Sequence, residues 1–415
     1  MPEARPSNIT TQEPATPVGL SRRIESIDVL RGFAVLGILV MNIQSYSMVD
    51  PAYFNPTVFG DWTGINFAVW LVSHLFFDTK FMTLFTLLFG AGIVLMARRI
   101  EERGYSPASL HYRRILWLLL FGLIHAYMLW HGDILVWYSL SALLAYFFWR
   151  VRPGWLLFWS LLLLLIGTGI YALIQWSMPF WPPEAITGNA QYWTPSAEVI
   201  AQRLEAFRGG WLDQMSERVQ GSLMLHTFVY LSFGVWRTIG VMLAGMALMK
   251  WGIISAEKSN RFYTVTLLIG FVVGLPLIGY GASQHIAHDW SLKYSLYGGM
   301  LPNYWGSLLV AAAYLSFWML SCKNQWLSCI RRSLARVGRM AFSNYILQTL
   351  ICTTLFYGHG FGLFGQIPRW GQLAITVTIW VVLIMASDLW MTRFRFGPLE
   401  WLWRTLTYGK RQPMR

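Results

Sequence analysis

Three side chains able to move protons lie in one otherwise apolar stretch, RRILWLLLFGLIHAYMLWHGDILVWY, from Arg113 to Tyr138. Between Ile115 and Trp130 the one strongly polar residue is His125. An ionisable group in hydrocarbon is costly, so such residues face a bundle interior or a water-filled cavity. His131-Gly132-Asp133 follows where the chain has to turn back, before a second apolar run from Ile134 to Trp149. A helical hairpin of this kind brings two imidazoles and a carboxylate to one side of a membrane. That set suits general-base or proton-relay chemistry. The plainer alternative is that His125 bonds a neighbouring helix while His131 and Asp133 cap a wet turn.

Arg237 is the second costly residue. It lies thirteen residues before Lys250 in HTFVYLSFGVWRTIGVMLAGMALMK, or about 20 Å from that helix end at 1.5 Å per residue. This is near the bilayer midplane, too deep for snorkelling, so Arg237 calls for a carboxylate, a set of carbonyls or an anionic ligand. In SIDVLRGFAVLGILVMN, Ser26 to Asn42, Asp28 and Arg31 sit three apart and can pair, or Arg31 can offer its charge to an anionic ligand. In GRMAFSNYILQTL, Asn344 and Gln348 share a helical face and either bond neighbouring helices or line a cavity. HIAHD, His285 to Asp289, has two histidines at i and i+3, but a further ligand is missing, so no metal site is assigned. Cys322, Cys329 and Cys352 are too few for a disulfide framework.

The elements that must position these groups follow from composition. In 415 residues, 55% are hydrophobic and only 12% charged, and the mean hydropathy is +0.45. That is too little charge to clothe a soluble globule, so the expected fold class is an all-α polytopic membrane protein. Runs of spanning length, about 17–25 residues, lay out ten helices near 29–48, 80–97, 115–131, 133–149, 154–176, 225–249, 262–281, 304–321, 338–357 and 371–390. The net charge of +13 is not a nucleic-acid footprint, because 25 of the 32 Lys and Arg fall on one set of alternate connections and the two ends. By the positive-inside rule that face is cytoplasmic and holds both termini.

The expected organisation is a Pro-, Thr- and Ser-rich tail over 1–22, a bundle over 23–392 and an amphipathic tail over 393–415. Residues 62–79, with His74, read as an interfacial or re-entrant helix, since a full span there would put Arg98 to Arg114 outside. The polar segment 177–222 is either a lid or a long surface connection. Gly274 and Pro276 suggest a break in one helix.

SIDVLRGFAVLGILVMN, FTLLFGAG, RRILWLLLFGLIH with HGDIL, WRTIGVMLAGMAL, GRMAFSNYILQ and GPLEWLWR together resemble the YeiB family of bacterial inner-membrane proteins, whose C-terminal part is domain of unknown function 418. SIDVLRG also resembles the start of the heparan-alpha-glucosaminide N-acetyltransferase group of transmembrane acyltransferases. That likeness implies transfer of an acyl group from cytoplasmic acyl-CoA to a carbohydrate or lipid acceptor on the far side, with Asp28 and Arg31 matching the motif. Those enzymes carry a histidine in the outer loop after this motif, and residues 44–61 here contain none.

In the resulting expectation His125 is general base or acyl carrier, Asp133 or His131 orients it, and Arg237 stabilises developing charge. Asp28, Arg31, Asn42, Asn344 and Gln348 bind substrate or donor, with Arg31, Asn344 and Gln348 lining the inner approach for the donor. Acyl-CoA is the expected co-substrate, and no tightly bound cofactor is indicated. Membrane lipids are expected partners, with nucleic acid excluded and homo-oligomerisation left open. A proton-coupled carrier of a small anionic or amphipathic solute and a lipid-binding scaffold are the alternatives.

Overall fold

The structure is a computed structural model and describes residues 24–415. The segment 1–22 lies outside the described residues. Among these residues every regular element is helical. In chain order they are α1 Glu25–Ser47, α2 Pro51–Phe54, α3 Gly64–Phe76, α4 Lys80–Glu101, α5 Pro107–Ile124, α6 Leu135–Ala145, α7 Pro153–Ser177, α8 Pro183–Trp193, α9 Ala197–Arg208, α10 Met215–Met224, α11 Val235–Lys250, α12 Asn260–Ala287, α13 Leu292–Ser295, α14 Leu301–Lys323, α15 Ser328–Arg339, α16 Ala341–Phe356, α17 Arg369–Arg393 and α18 Pro398–Tyr408.

Eight helical stretches are long and apolar enough to cross a membrane. Two of the ten expected spans are shorter: α6 with its short continuation is Leu135–Phe148, and α16 has 16 residues. At 1.5 Å per residue α16 is roughly 24 Å long, less than a hydrocarbon core of about 30 Å. Apolarity marked both segments as spans. Each is short because one end stops at a polar turn inside the bundle, and these two helices help form the site described below.

The bundle has a core and a rim. The apolar window of α1 is 72% buried, whereas that of α7 is 17% and those of α12 and α17 are 22%. The rim helices leave Trp155, Leu165, Val272, Val381 and Leu389 exposed, which is the side-chain character a lipid face requires. Core helices approach through small residues. A Cβ on Gly32 would collide with the Leu334 carbonyl of α15, and one on Gly245 with the Leu87 carbonyl of α4. With no apolar driving force between helices in lipid, close backbone packing of this kind holds them together.

Two connections are helical and one expected helix break is not found. Residues 64–76 form a separate helix, and the chain redirects at Thr79, whose φ is +63°. Segment 177–222 is a folded cover of α8, α9 and α10. Trp193 is buried and donates to the Trp290 carbonyl at 2.7 Å, and Gly358 N donates to the Phe207 carbonyl at 2.9 Å. The expected break at Gly274 and Pro276 is absent, since α12 runs unbroken through Pro276. Gly274 instead meets Gly306 and Val310 of α14, so its smallness serves packing.

Candidate functional site

The α5 helix ends in a π turn, His125–Leu129, closed by Trp130 N donating to the His125 carbonyl at 2.9 Å. Such insertions recur at functional sites because they re-aim a side chain. Here the turn places His125 against Asp133: Nδ1 lies 2.7 Å from Oδ1, with the two side chains 1% and 0% exposed. The second carboxylate oxygen accepts from Val136 N at 2.7 Å. Asp133 therefore caps the start of α6 and orients the imidazole at the same time. A carboxylate only accepts, so Nδ1 carries the proton and Nε2 is left as the acceptor.

What Nε2 accepts is the Thr349 hydroxyl of α16, at 2.8 Å. Thr349 Oγ1 is in turn 2.6 Å from the Tyr46 hydroxyl of α1. The result is a carboxylate–imidazole–hydroxyl series, the arrangement that raises the basicity of an imidazole toward a hydroxyl proton. Tyr345 flanks it, its ring 5.1 Å from that of His125.

Two cavities approach this series from opposite ends of α1. The first, about 300 Å³, is lined by Asp28, Arg31, Arg99, Arg114, Arg339 and Arg404, and reaches inward to Tyr138 and Tyr345. The second, about 460 Å³, is lined by Asn42, Asp50, His74, His131, Asp133 and Arg237, with Trp70, Trp130, Trp137 and Trp290 supplying apolar wall. Ile38 and Ile134 belong to both walls. Neither His125 nor Thr349 lines either cavity; they lie in the partition, where Asp133 faces one side and Tyr345 the other.

The remaining residues singled out from sequence distribute unevenly. Asp28 and Arg31 pair at 3.1 Å on the first cavity wall. Asn42 lines the second cavity, not the first. Asn344 donates to the Val337 carbonyl and to Ser387, and Gln348 to the Val35 carbonyl at 2.8 Å. Both are helix-packing amides and line neither cavity. The face of α16 turned to the site carries Tyr345 and Thr349.

His131 does not join His125; its Nε2 is 3.0 Å from Asp50 Oδ1. Burial disfavours both charges, yet mutual attraction and the hydrogen bond outweigh it. The Asp50 pKa falls below its ordinary 3.8 and that of His131 rises above its ordinary 6.5. His131 also packs beside Gly221 of α10 and Phe207 of α9, so the pair fastens the cover. Arg237 also stands apart from the His125 series, bonding the Tyr304 carbonyl, Thr83 and Ser307. His285 stacks on Trp290 and His288 on Tyr294; no cluster of three metal-binding side chains occurs among the described residues.

Glu400 at the start of α18 accepts from Phe342 N, Ser343 N and the Ser343 hydroxyl. It caps α16 from another helix, in a position where burial pushes its pKa above the ordinary 4.5. Thr349, Tyr46, Asp50 and Glu400 all escape a reading of the sequence. Single Thr, Tyr and Glu residues carry no spacing signal, and only the polar interruption of an apolar run marks His125.

Comparison with known proteins finds relatives of this chain along most of its length. The family described as "Protein of unknown function (DUF418)" matches residues 248–410. The chain is 34% identical over 392 residues to the uncharacterized protein YeiB of Escherichia coli (strain K12), covering 92% of this chain and 95% of that protein. It is 31% identical over 420 residues to the uncharacterized protein YxaH of Bacillus subtilis (strain 168), covering 96% and 97% respectively.

Proposed function

From the premise that this chain belongs to the YeiB-like family of DUF418 proteins, we propose that it is a transmembrane acyltransferase of the bacterial inner membrane. It takes an acyl group from cytoplasmic acyl-CoA and passes it to a hydroxyl on the opposite side. The observation that carries this reading is the pair of cavities entering from opposite ends of α1, with Asp133–His125–Thr349 in the partition between them. With the arginine-rich face inside, the first cavity is the donor site. Its five arginines suit the phosphates of a nucleotide thioester, since guanidinium pairs with phosphate through charge-assisted, bidentate bonds.

In the reaction the acceptor hydroxyl takes the place of Thr349 at His125 Nε2. Nε2 removes its proton as the oxygen attacks the thioester carbonyl, and Asp133 supports the imidazolium through Nδ1–H. The tetrahedral intermediate collapses with loss of the thiolate, which takes the proton from Nε2. One ester forms, one thioester breaks, and CoA leaves as the thiol. Because His125 and Thr349 are enclosed, turnover includes a movement of the partition around Ile134 and Tyr345, and the π turn at His125–Leu129 is a natural place for it.

The test is to incubate purified protein in proteoliposomes with radiolabelled short- and long-chain acyl-CoA and to follow label into lipid and added acceptors. Transfer by wild type that His125→Ala abolishes supports the reading; absence of any acyl-CoA binding overturns it. A proton-coupled carrier is the second reading, since two cavities facing a titratable partition also serve alternating access. Proton uptake coupled to solute entry, with no acyl transfer, would establish it.

A further inference from the structure

The second cavity contains four carboxylates, and each has a basic partner. Asp133 pairs with His125, Asp50 with His131, Asp78 with His74 at 3.1 Å, and Glu217 with Arg203 at 3.8 Å. Arg237 has none: among the described residues no carboxylate lies within 4 Å of its guanidinium. Its side chain is 1% exposed and lines the cavity. Its three hydrogen bonds, to the Tyr304 carbonyl at 2.8 Å, Ser307 at 2.7 Å and Thr83 at 3.1 Å, all end on neutral oxygens. Among the described residues these bonds all come from the two terminal nitrogens and none from Nε, and the guanidinium lies 4.5 Å from the centroid of the Tyr304 ring.

A second cation lies in the same place. Lys80, wholly buried, donates to the His74 carbonyl at 2.6 Å and to Asn303 Oδ1 at 2.7 Å. Asn303 in turn donates to Asp78 at 2.7 Å. Arg237 and Lys80 thus stand near a single carboxylate, Asp78, which already pairs with His74, between α4, α11 and α14. An uncompensated charge at this depth is unfavourable unless something anionic enters.

We infer that the Arg237 pole of the second cavity is a binding site for the headgroup of an anionic amphipath, a carboxylate or a phosphate ester. Its apolar body would lie along the tryptophan-lined wall. Arg237 there fixes the headgroup by a charge-assisted bond from Nε, while Thr83, Ser307 and the Tyr304 carbonyl hold the guanidinium plane in place. That this amphipath is the acyl acceptor rests on the acyl-transfer reading; its binding does not.

The experiment is equilibrium binding of radiolabelled dodecyl phosphate to the full-length protein in a neutral maltoside detergent, without acyl-CoA, in competition with dodecanoate and dodecanol. Saturable binding is expected, with dodecanol at least about tenfold weaker as a competitor. Whichever of dodecanoate and dodecyl phosphate competes better identifies the headgroup. Arg237→Gln is expected to weaken binding at least about tenfold and Arg237→Lys to retain part of it.

Equal competition by dodecanol in wild type overturns the inference, as does unaltered binding in Arg237→Gln. The wild-type competition decides the matter even where Arg237→Gln does not fold. Binding with no acyl transfer would leave this site standing and remove the enzyme reading; transfer with no anion preference would do the reverse.

Discussion

Asp133 Oδ1 lies 2.7 Å from His125 Nδ1 with neither side chain open to solvent, and its other oxygen holds the first turn of α6. One carboxylate thus sets both the tautomer of the imidazole and the start of the helix behind it. His125→Ala is expected to lower acyl transfer at least about 100-fold. Asp133→Asn keeps the shape but loses the charge that favours Nδ1–H, and is expected to fall as far or further. Label transfer under kcat/KM conditions checks both. Retention of more than a tenth of wild-type activity in His125→Ala would remove the histidine from the mechanism.

In the acyl-transfer reading the arginines of the first cavity act on the donor and not on the chemistry. Arg404, stacked over Phe396 at 4.7 Å, is expected on replacement by Gln to raise KM for acyl-CoA about tenfold, or about 1.4 kcal/mol. Its kcat should be unchanged. A fall in kcat with constant KM would place Arg404 near the reacting atoms instead.

How far all this could be read from sequence depends on what kind of signal each residue carries. His125 and Asp133 are visible because polar residues interrupt apolar runs, and membrane burial makes that interruption expensive. Thr349 is invisible because a threonine in a helix ordinarily satisfies its hydroxyl on the preceding turn. Asn344 and Gln348 misdirect for a geometric reason: one residue along a helix turns the side chain by about 100°, so Tyr345 and Thr349 face the site while the more conspicuous amides face α1, α15 and α17. Asn42 is placed by length. It is eleven residues beyond Arg31 on the same helix, roughly 16 Å away at 1.5 Å per residue, and so lines the other cavity. The helices themselves were legible from hydropathy, but not that α6 and α16 are short, because apolarity does not reveal where a helix stops inside a bundle.

The Asp50–His131 pair makes closure of the cover formed by α8, α9 and α10 depend on pH. His131 has its pKa raised, so its contribution is complete below 6.5 and is lost as pH rises through the higher folded value. Asp50 has its pKa lowered, so its contribution is complete above 3.8 and is lost as pH falls through the lower folded value. Between those two ordinary values the pair is fully formed. Hydrogen exchange of α10 amides, corrected for intrinsic rates, should be slowest in that window and speed up on both sides. In Asp50→Asn the loss of protection above pH 6.5 should disappear; an unchanged profile would show that other groups close the cover.

Glu400 joins α18 to the start of α16, and through α16 to Thr349. Glu400→Ala removes the acceptor for two backbone N–H groups and is expected to cost about 1–2 kcal/mol, as lost helix caps do. Burial already favours its uncharged form, so Glu400→Gln, which keeps one carbonyl acceptor, should cost less. Thermal unfolding of the two variants in one detergent tests the order, and equal losses would argue that the charge itself is needed.

Thr349 separates two routes through the same series. If His125 acts directly on the acceptor, Thr349 only occupies Nε2 until the acceptor hydroxyl displaces it. Thr349→Ala then leaves a buried nitrogen without a partner, which costs about 1–3 kcal/mol of stability. Its Oγ1 is not in the reaction, so transfer should fall less than about tenfold while His125→Ala falls at least about 100-fold. A covalent route through Thr349 requires the opposite order: Thr349→Ala as inactive as His125→Ala, Thr349→Ser active, and an acyl group recoverable on this residue after incubation with donor alone. Tyr46→Phe adds a further comparison, because removing its hydroxyl leaves Thr349 Oγ1 with His125 Nε2 and the Tyr345 carbonyl alone. Under the direct route that variant should perturb transfer no more than Thr349→Ala does. Mass spectrometry of the donor-treated protein, read beside the three transfer rates, decides between the routes; an acyl-Thr349 adduct formed at the rate of turnover would exclude direct transfer.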